Sequence, residues 1–241
     1  RAGRISTETN RELCAALGNV DVPGVELFVE TVKEHRFLLV LRGEDLCGDI
    51  EDTDPQQVGR KPVPPKPRRQ AAGETAARVQ AFVEEAGKVL ADRHPANMVL
   101  LRGFSELPDW PRFPEVFGVR AAAIAQYPMY RGVAKLIGME LLEGGSELAD
   151  EFEALRRHWG EYDFFYVHVK KIDSAGEDGD FERKREIIEE TDRLIPKLME
   201  LQPDVVVVTG DHSTPSRMKG HSWHPVPTLL RSPWARPDGA Q

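Results

Sequence analysis

The chain has 241 residues, 40% of them apolar and 30% charged, a composition that supports a folded core and excludes wholesale disorder. With 32 basic against 40 acidic side chains the formal charge is -8, so the chain as a whole has no general attraction for nucleic acid or an anionic membrane. No apolar run approaches the roughly 18 to 20 residues needed to span a bilayer. Two cysteines, Cys14 and Cys47, cannot make a disulfide framework and point to a reducing cytoplasm.

The first residue is Arg1 and no signal peptide is visible, so the sequence reads as the later part of a larger protein. Glu8 to Leu17 predicts a helix, and Phe37 to Leu41 (FLLVL) is an apolar run of strand length. Residues 55–70 (PQQVGRKPVPPKPRRQ) hold five prolines and five basic residues with no acid. Proline removes amide donors and favours extended backbone, which predicts a solvated linker there. Between Glu74 and Ala91, Ala77, Val79, Phe82, Val83, Ala86, Val89 and Leu90 recur at helical spacing opposite a charged face. Met98 to Leu101 reads as a buried strand and Ala121 to Ala125 as another, followed by a helix over Tyr130 to Leu142.

The last third is the most regular. Phe164 to Val169 (FFYVHV) is strand-like. Asp180 to Leu201 is helix-like, with Phe181, Ile188 and Ile195 seven apart and Pro196 expected to kink or shorten its end. Val205 to Thr209 (VVVVT) is a β-branched run of the kind that suits a parallel strand covered on both faces. Strand, helix, strand implies a βαβ unit and an α/β fold.

In open α/β sheets, sites gather at the carboxyl ends of strands. After the first of these two strands come Asp173, Glu177, Asp178 and Asp180; after the second come Asp211, His212, His221 and His224. If the two strand ends are neighbours, carboxylates and imidazoles converge, a donor set that suits Zn, Mn, Co or Mg. Asp178 and Asp180 read better as caps of the following helix. Asp211-His212, flanked by Gly210 directly after the valine run, reads as a metal or catalytic pair. His168 reads as a satisfied core histidine, and His224 as solvent-facing or supporting.

The stretches HVKKIDSAGEDGDF (168–181) and TGDHSTPSRMKGHSWHPVP (209–227) resemble the archaeal-type cofactor-independent phosphoglycerate mutases of the alkaline phosphatase superfamily. RAGRI (1–5), HRFLLVLRG (35–43), DTDP (52–55), PANMVLLRG (95–103) and AAAIAQYPMYRGVAKLIGM (121–139) follow in family order, so nearly the whole chain is covered. The resemblance implies a mostly parallel sheet sandwiched by helices, plus part of an inserted, smaller α+β substrate domain. It divides the chain into residues 1–70, the end of the substrate domain with its proline-rich linker, and residues 71–241, the metal-binding domain. It implies two divalent metal ions, one held by Asp173, Glu177 and His221 and the other by Asp211 and His212. It further implies interconversion of 3-phosphoglycerate and 2-phosphoglycerate through a phosphoserine, with Arg1 and Arg4 binding substrate.

The chain departs from the family in three places. Glu177 stands where the family pattern AGHDGD has histidine, which shifts preference toward Mn or Mg and away from Zn. His224 replaces the Asp common before PVP. The amino-terminal part, with its metal-binding Asp and nucleophilic serine, is absent, and neither Ser213 nor Ser222 matches that serine. The chain alone is therefore expected to be inactive. The alternatives are a metal-dependent phosphatase or mutase acting on another phosphorylated small molecule, and a degenerate homologue that binds without catalysis.

Overall fold

A computed structural model of the chain describes residues 2, 4–57, 59–236 and 239. The fold divides into two compact units, residues 1–108 and 109–241. Arg1 lies outside the described residues.

The first unit begins with helix α1 (Thr7–Leu17), whose cap is Ser6: its hydroxyl accepts from the Thr9 amide at 3.1 Å. Strands β1 (Glu26–Lys33) and β2 (Arg36–Arg42) form an antiparallel hairpin. Asn10 of α1 is buried, and its amide nitrogen donates to the carbonyls of Glu34 and Arg36, holding the hairpin turn to the helix. Helix α2 (Gly73–Val89) supplies Val79, Phe82, Val83 and Ala86 to a core shared with Leu17, Val22 and Ile50. Phe82 is fully enclosed, so its truncation to Ala costs about 3–5 kcal/mol.

One expectation is corrected in this unit and another is made more specific: the proline-rich stretch is mostly exposed, as expected of a solvated segment. It is bound along residues 49–53: Glu51 donates to the Lys66 carbonyl, Arg68 to that of Asp49 and Val63 to that of Thr53, each at 2.9 Å. Prolines cannot donate, so from this side Val63 and Arg68 supply the amides and Lys66 supplies the accepting carbonyl. Met98 to Leu101 forms no strand, although Val99 and Leu101 are buried. Leu101 instead exchanges bonds with Thr53, its amide to the hydroxyl at 2.8 Å and its carbonyl to the Thr53 amide at 2.9 Å. The unit therefore continues through α2 to Pro108.

The second unit is α/β, as expected. It opens with the short helix α3 (Phe113–Phe117). Strands β3 (Ala121–Ala125), β4 (Glu140–Leu142) and β5 (Phe164–His168) form a parallel sheet in the order β4-β3-β5. Every residue of β3 is buried. Ala122 and Ile124 meet Ala154 and Leu155 of helix α5 (Leu148–Arg157) on one face. Ala121 and Ala123 meet Ala134 of helix α4 (Pro128–Leu136) on the other. Small side chains in β3 let helices close on both sides, the arrangement a parallel sheet requires.

The helix expected over Tyr130 to Leu142 is two elements. It stops at Leu136, Gly138 turns the chain with φ +82°, and β4 follows. Helices α6 (Lys171–Asp178) and α7 (Phe181–Met199) come after β5. Asp180 caps α7 as expected, accepting from the Arg183 amide at 2.9 Å. Pro196 is accommodated inside α7.

The valine run gives only a short strand, β6 (Val206–Val208), paired antiparallel with β7 (Leu229–Arg231). This overturns the expected βαβ unit. Val207 and Val208, on opposite faces, are each about half exposed, at 55% and 47%. The four valines therefore read as a doubly covered strand while the described fold leaves both faces of β6 open.

Candidate metal centre

The carboxyl end of β5 feeds directly into α6, and α6 explains the Asp173–Glu177 spacing: four residues apart on a helix place both carboxylates on one face. Gly, Ser and Asp are poor helix formers, yet this segment is helical. Gly176 carries the reason for its own identity. A Cβ there would run into the backbone carbonyl of Thr214, so glycine lets α6 close against the segment after β6. Lys184 of α7 donates to the same carbonyl at 2.6 Å. The Ser222 amide donates to the Ser213 carbonyl at 2.9 Å, an isolated antiparallel bridge that folds the 213–222 loop back on itself. His221 is thereby set beside His212, with ring centroids 3.9 Å apart.

Asp173, His212 and His221 each offer a ligand atom within 4.8 Å of the others. His221 Nε2 is 3.5 Å from Asp173 Oδ1 and 3.4 Å from Glu177 Oε1. Asp211 Oδ2 lies 3.6 Å from His212 Nε2. The five residues singled out from the sequence thus come together at one rim of the second unit. His212 joins Asp173 and His221, a grouping that cuts across the two sets implied by the family pattern. His224 turns away, with Nδ1 2.8 Å from the Ser222 hydroxyl. Arg4 is exposed.

Neighbours of these five residues tune this rim. Thr214 donates its hydroxyl hydrogen to Asp173 Oδ1 at 2.5 Å, and its oxygen lies 3.1 Å from His212 Nδ1. With its one hydrogen committed to the carboxylate, the hydroxyl accepts from Nδ1–H. This assigns the His212 proton to Nδ1 and leaves Nε2 as the lone-pair nitrogen. Lys170 pairs with the other oxygen of Asp173. Burial pushes the Asp173 carboxyl up, but the bonds from Lys170 and Thr214 outweigh it and hold the group below its usual value.

Tyr130 of α4 stacks on His168, with centroids 3.6 Å apart, and its hydroxyl donates to Asp211 Oδ2 at 3.3 Å. Burial, then the Asp211 charge, pushes the phenol up to about 12, so it stays a donor. Burial lowers His168, favouring the neutral ring. Among the described residues His168 Nδ1 is buried without a hydrogen-bond partner, which departs from the satisfied core histidine expected. Asp178, by contrast, ends α6.

One carboxylate oxygen and two imidazole nitrogens fit a divalent cation. The fit rests on this convergence and on a Thr214 contact that leaves His212 Nε2 with its lone pair free.

A family model described as "Metalloenzyme superfamily" matches residues 14–240. The chain is 47% identical over 241 residues to the "Probable 2,3-bisphosphoglycerate-independent phosphoglycerate mutase" of Aquifex aeolicus (strain VF5), covering 97% of this chain and 59% of that protein. It is 48% identical over 249 residues to the protein of the same description from Deinococcus radiodurans, covering 100% of this chain and 61% of the relative. It thus spans about three-fifths of the length of these relatives. Among solved structures, the "Cofactor-Independent Phosphoglycerate mutase from Thermoplasma Acidophilum DSM 1728" superposes with a TM-score of 0.66 at 28% identity, over 99% of this chain and 64% of that one. With a matching family model over nearly its whole length and a carboxylate–imidazole cluster suited to a divalent metal, the chain belongs to the metalloenzyme superfamily.

Proposed function

We propose that the chain is the larger part of a 2,3-bisphosphoglycerate-independent phosphoglycerate mutase, an isomerase that interconverts 3-phosphoglycerate and 2-phosphoglycerate through a phosphoserine. The observation that carries this reading is the convergence of Asp173, His212 and His221 within 4.8 Å at a strand end. The relatives at 47–48% identity that carry this description supply the substrate.

Asp173, Glu177 and His221 would hold one divalent ion, and Asp211 and His212 a second, with His212 close enough to Asp173 to serve either. The carboxylate-rich set favours Mn or Mg. Such ions, when bound, neutralise phosphoryl oxygens and lower the pKa of a serine hydroxyl. The chain's own residues prepare the site for this. Lys170 offsets the charge of Asp173, Thr214 fixes the His212 tautomer, and Tyr130 holds the Asp211 carboxylate by a donor that does not ionise.

The nucleophilic serine is assigned to a segment outside these 241 residues. Arg1 and Arg4 are assigned to substrate recognition in residues 1–70, where guanidinium forks suit a carboxylate or phosphate. No helix among the described residues is long and apolar enough to cross a membrane. A glycolytic role would place the protein in the cytoplasm.

The test is turnover of 3-phosphoglycerate with Mn²⁺ by the 241-residue chain and by a version extended upstream to the relatives' length. The extended protein forms 2-phosphoglycerate and the shorter one does not. Equal turnover by both overturns the placement of the nucleophile. Release of inorganic phosphate in place of 2-phosphoglycerate overturns the mutase reading in favour of a phosphatase.

A further inference from the structure

A second feature of the same unit lies over the carboxyl ends of β3 and β4. An open cleft of about 500 Å³ is lined by Gln126, Pro128, Arg131, Glu143, Ser146 and two glycines, Gly144 and Gly145. Strand ends of a parallel sheet are where such folds place ligands. Arg131 is fixed there: one guanidinium nitrogen donates to the carbonyls of Ala125 and Leu142, the last residues of β3 and β4, both at 3.4 Å. Its other terminal nitrogen donates to Glu143 Oε1 at 2.6 Å. The two partners differ sharply in exposure, 25% for the Arg131 side chain and 84% for that of Glu143. The cation is held by the fold, whereas its carboxylate partner lies almost wholly in solvent.

An ion pair with so exposed a carboxylate is weak and easily exchanged. A guanidinium fork accepts carboxylate or phosphate oxygens equally well in its place. The backbone amides of Ser146 and Glu147 are already taken by Asp150, which leaves Arg131 as the charged donor of the cleft. We propose that this cleft binds the oxyanion end of a small molecule, phosphate or carboxylate, on Arg131, with Glu143 as the resident anion it displaces. Nothing in this inference requires the metal centre.

The test is titration of the 241-residue chain with inorganic phosphate and, separately, with glycerate, in buffer containing EDTA. Binding is followed through the amide NMR signals of Gly144 and Gly145. Both signals shift on saturation with at least one anion, and the arm that responds identifies the source of the oxyanion. Glu143→Gln removes the competing charge on an exposed side chain and tightens binding about threefold to fivefold. Arg131→Gln abolishes the shifts, with circular dichroism as the folding control. Glu143→Gln decides the matter even where Arg131→Gln does not fold. Failure of both anions to move these signals overturns the proposal. So does an affinity unchanged by Glu143→Gln.

Discussion

Glu151 offers a measurable consequence of burying a carboxyl group. It lies in α5 at 2% exposure, beside Gly144 and within hydrogen-bonding reach of Gln126, and among the described residues its Oε2 has no hydrogen-bond partner. Burial pushes its pKa from 4.5 up to about 7, against the pull of the Lys171 charge and the Gln126 bond. Between those two values the folded chain binds a proton that the unfolded chain has released. Stability is therefore undiminished below about pH 4.5, falls as pH rises through this window and is lowest above pH 7. At 1.36 kcal/mol per unit the ceiling is about 3 kcal/mol, of which an amide at this position recovers part, since it too is a buried polar group. Glu151→Gln keeps the shape and removes the titration. Urea denaturation of both proteins at pH 5 and pH 8 provides the comparison. The variant gains about 1–2 kcal/mol over the wild type at pH 8 and little at pH 5. Parallel pH dependence in the two proteins, or a variant weaker at pH 8, refutes the assignment of Glu151 as a buried acid.

Thr53→Val preserves volume but removes the acceptor for the buried Leu101 amide, costing about 1–3 kcal/mol by chemical denaturation. Asp163 accepts three bonds from Arg120, at 2.9 to 3.0 Å, which hold its carboxyl down at about 2. A lowered carboxyl pKa stabilises the fold above the ordinary carboxylate range, and that contribution disappears as pH falls through about 2. The thermal midpoint of Asp163→Asn should therefore lie below that of the wild type at pH 7 and converge with it near pH 2. Thr214→Val frees the His212 tautomer and strips a donor from Asp173, weakening Mn²⁺ binding about tenfold in calorimetry while far-ultraviolet dichroism stays unchanged.

Sequence patterning was a good guide where periodicity and burial coincide. Helices α1 and α2 carry apolar stripes that face a buried core, and β3 is an apolar run enclosed in the middle of its sheet, whereas Phe181 and Ile188 of the α7 stripe stay exposed. It failed where a single residue or a distant partner decides. Gly138 breaks what reads as one helix into α4 and β4. Residues 171–178 form a helix through contact with Thr214 despite weak intrinsic propensity. The prolines of 55–70 suggest a solvated linker, and the stretch is mostly exposed, but its backbone bonds to residues 49–53 were not readable. At the site, the residue types of Asp173, Glu177, Asp211, His212 and His221 were readable, while the helix that carries Asp173 and Glu177 was not. Thr214, Gly176 and Tyr130 were not, because their roles arise only when the loop after β6 folds against α6 and α4.

The central claim is that Asp173, His212 and His221 form a divalent-metal site. Calorimetric titration of Mn²⁺ into the EDTA-stripped chain tests it directly, with Asp173→Asn and His221→Gln as variants. The wild type binds Mn²⁺, and each substitution weakens binding at least about tenfold with the fold intact by dichroism. A wild type that binds none, or variants that bind as well as the wild type, contradicts the claim.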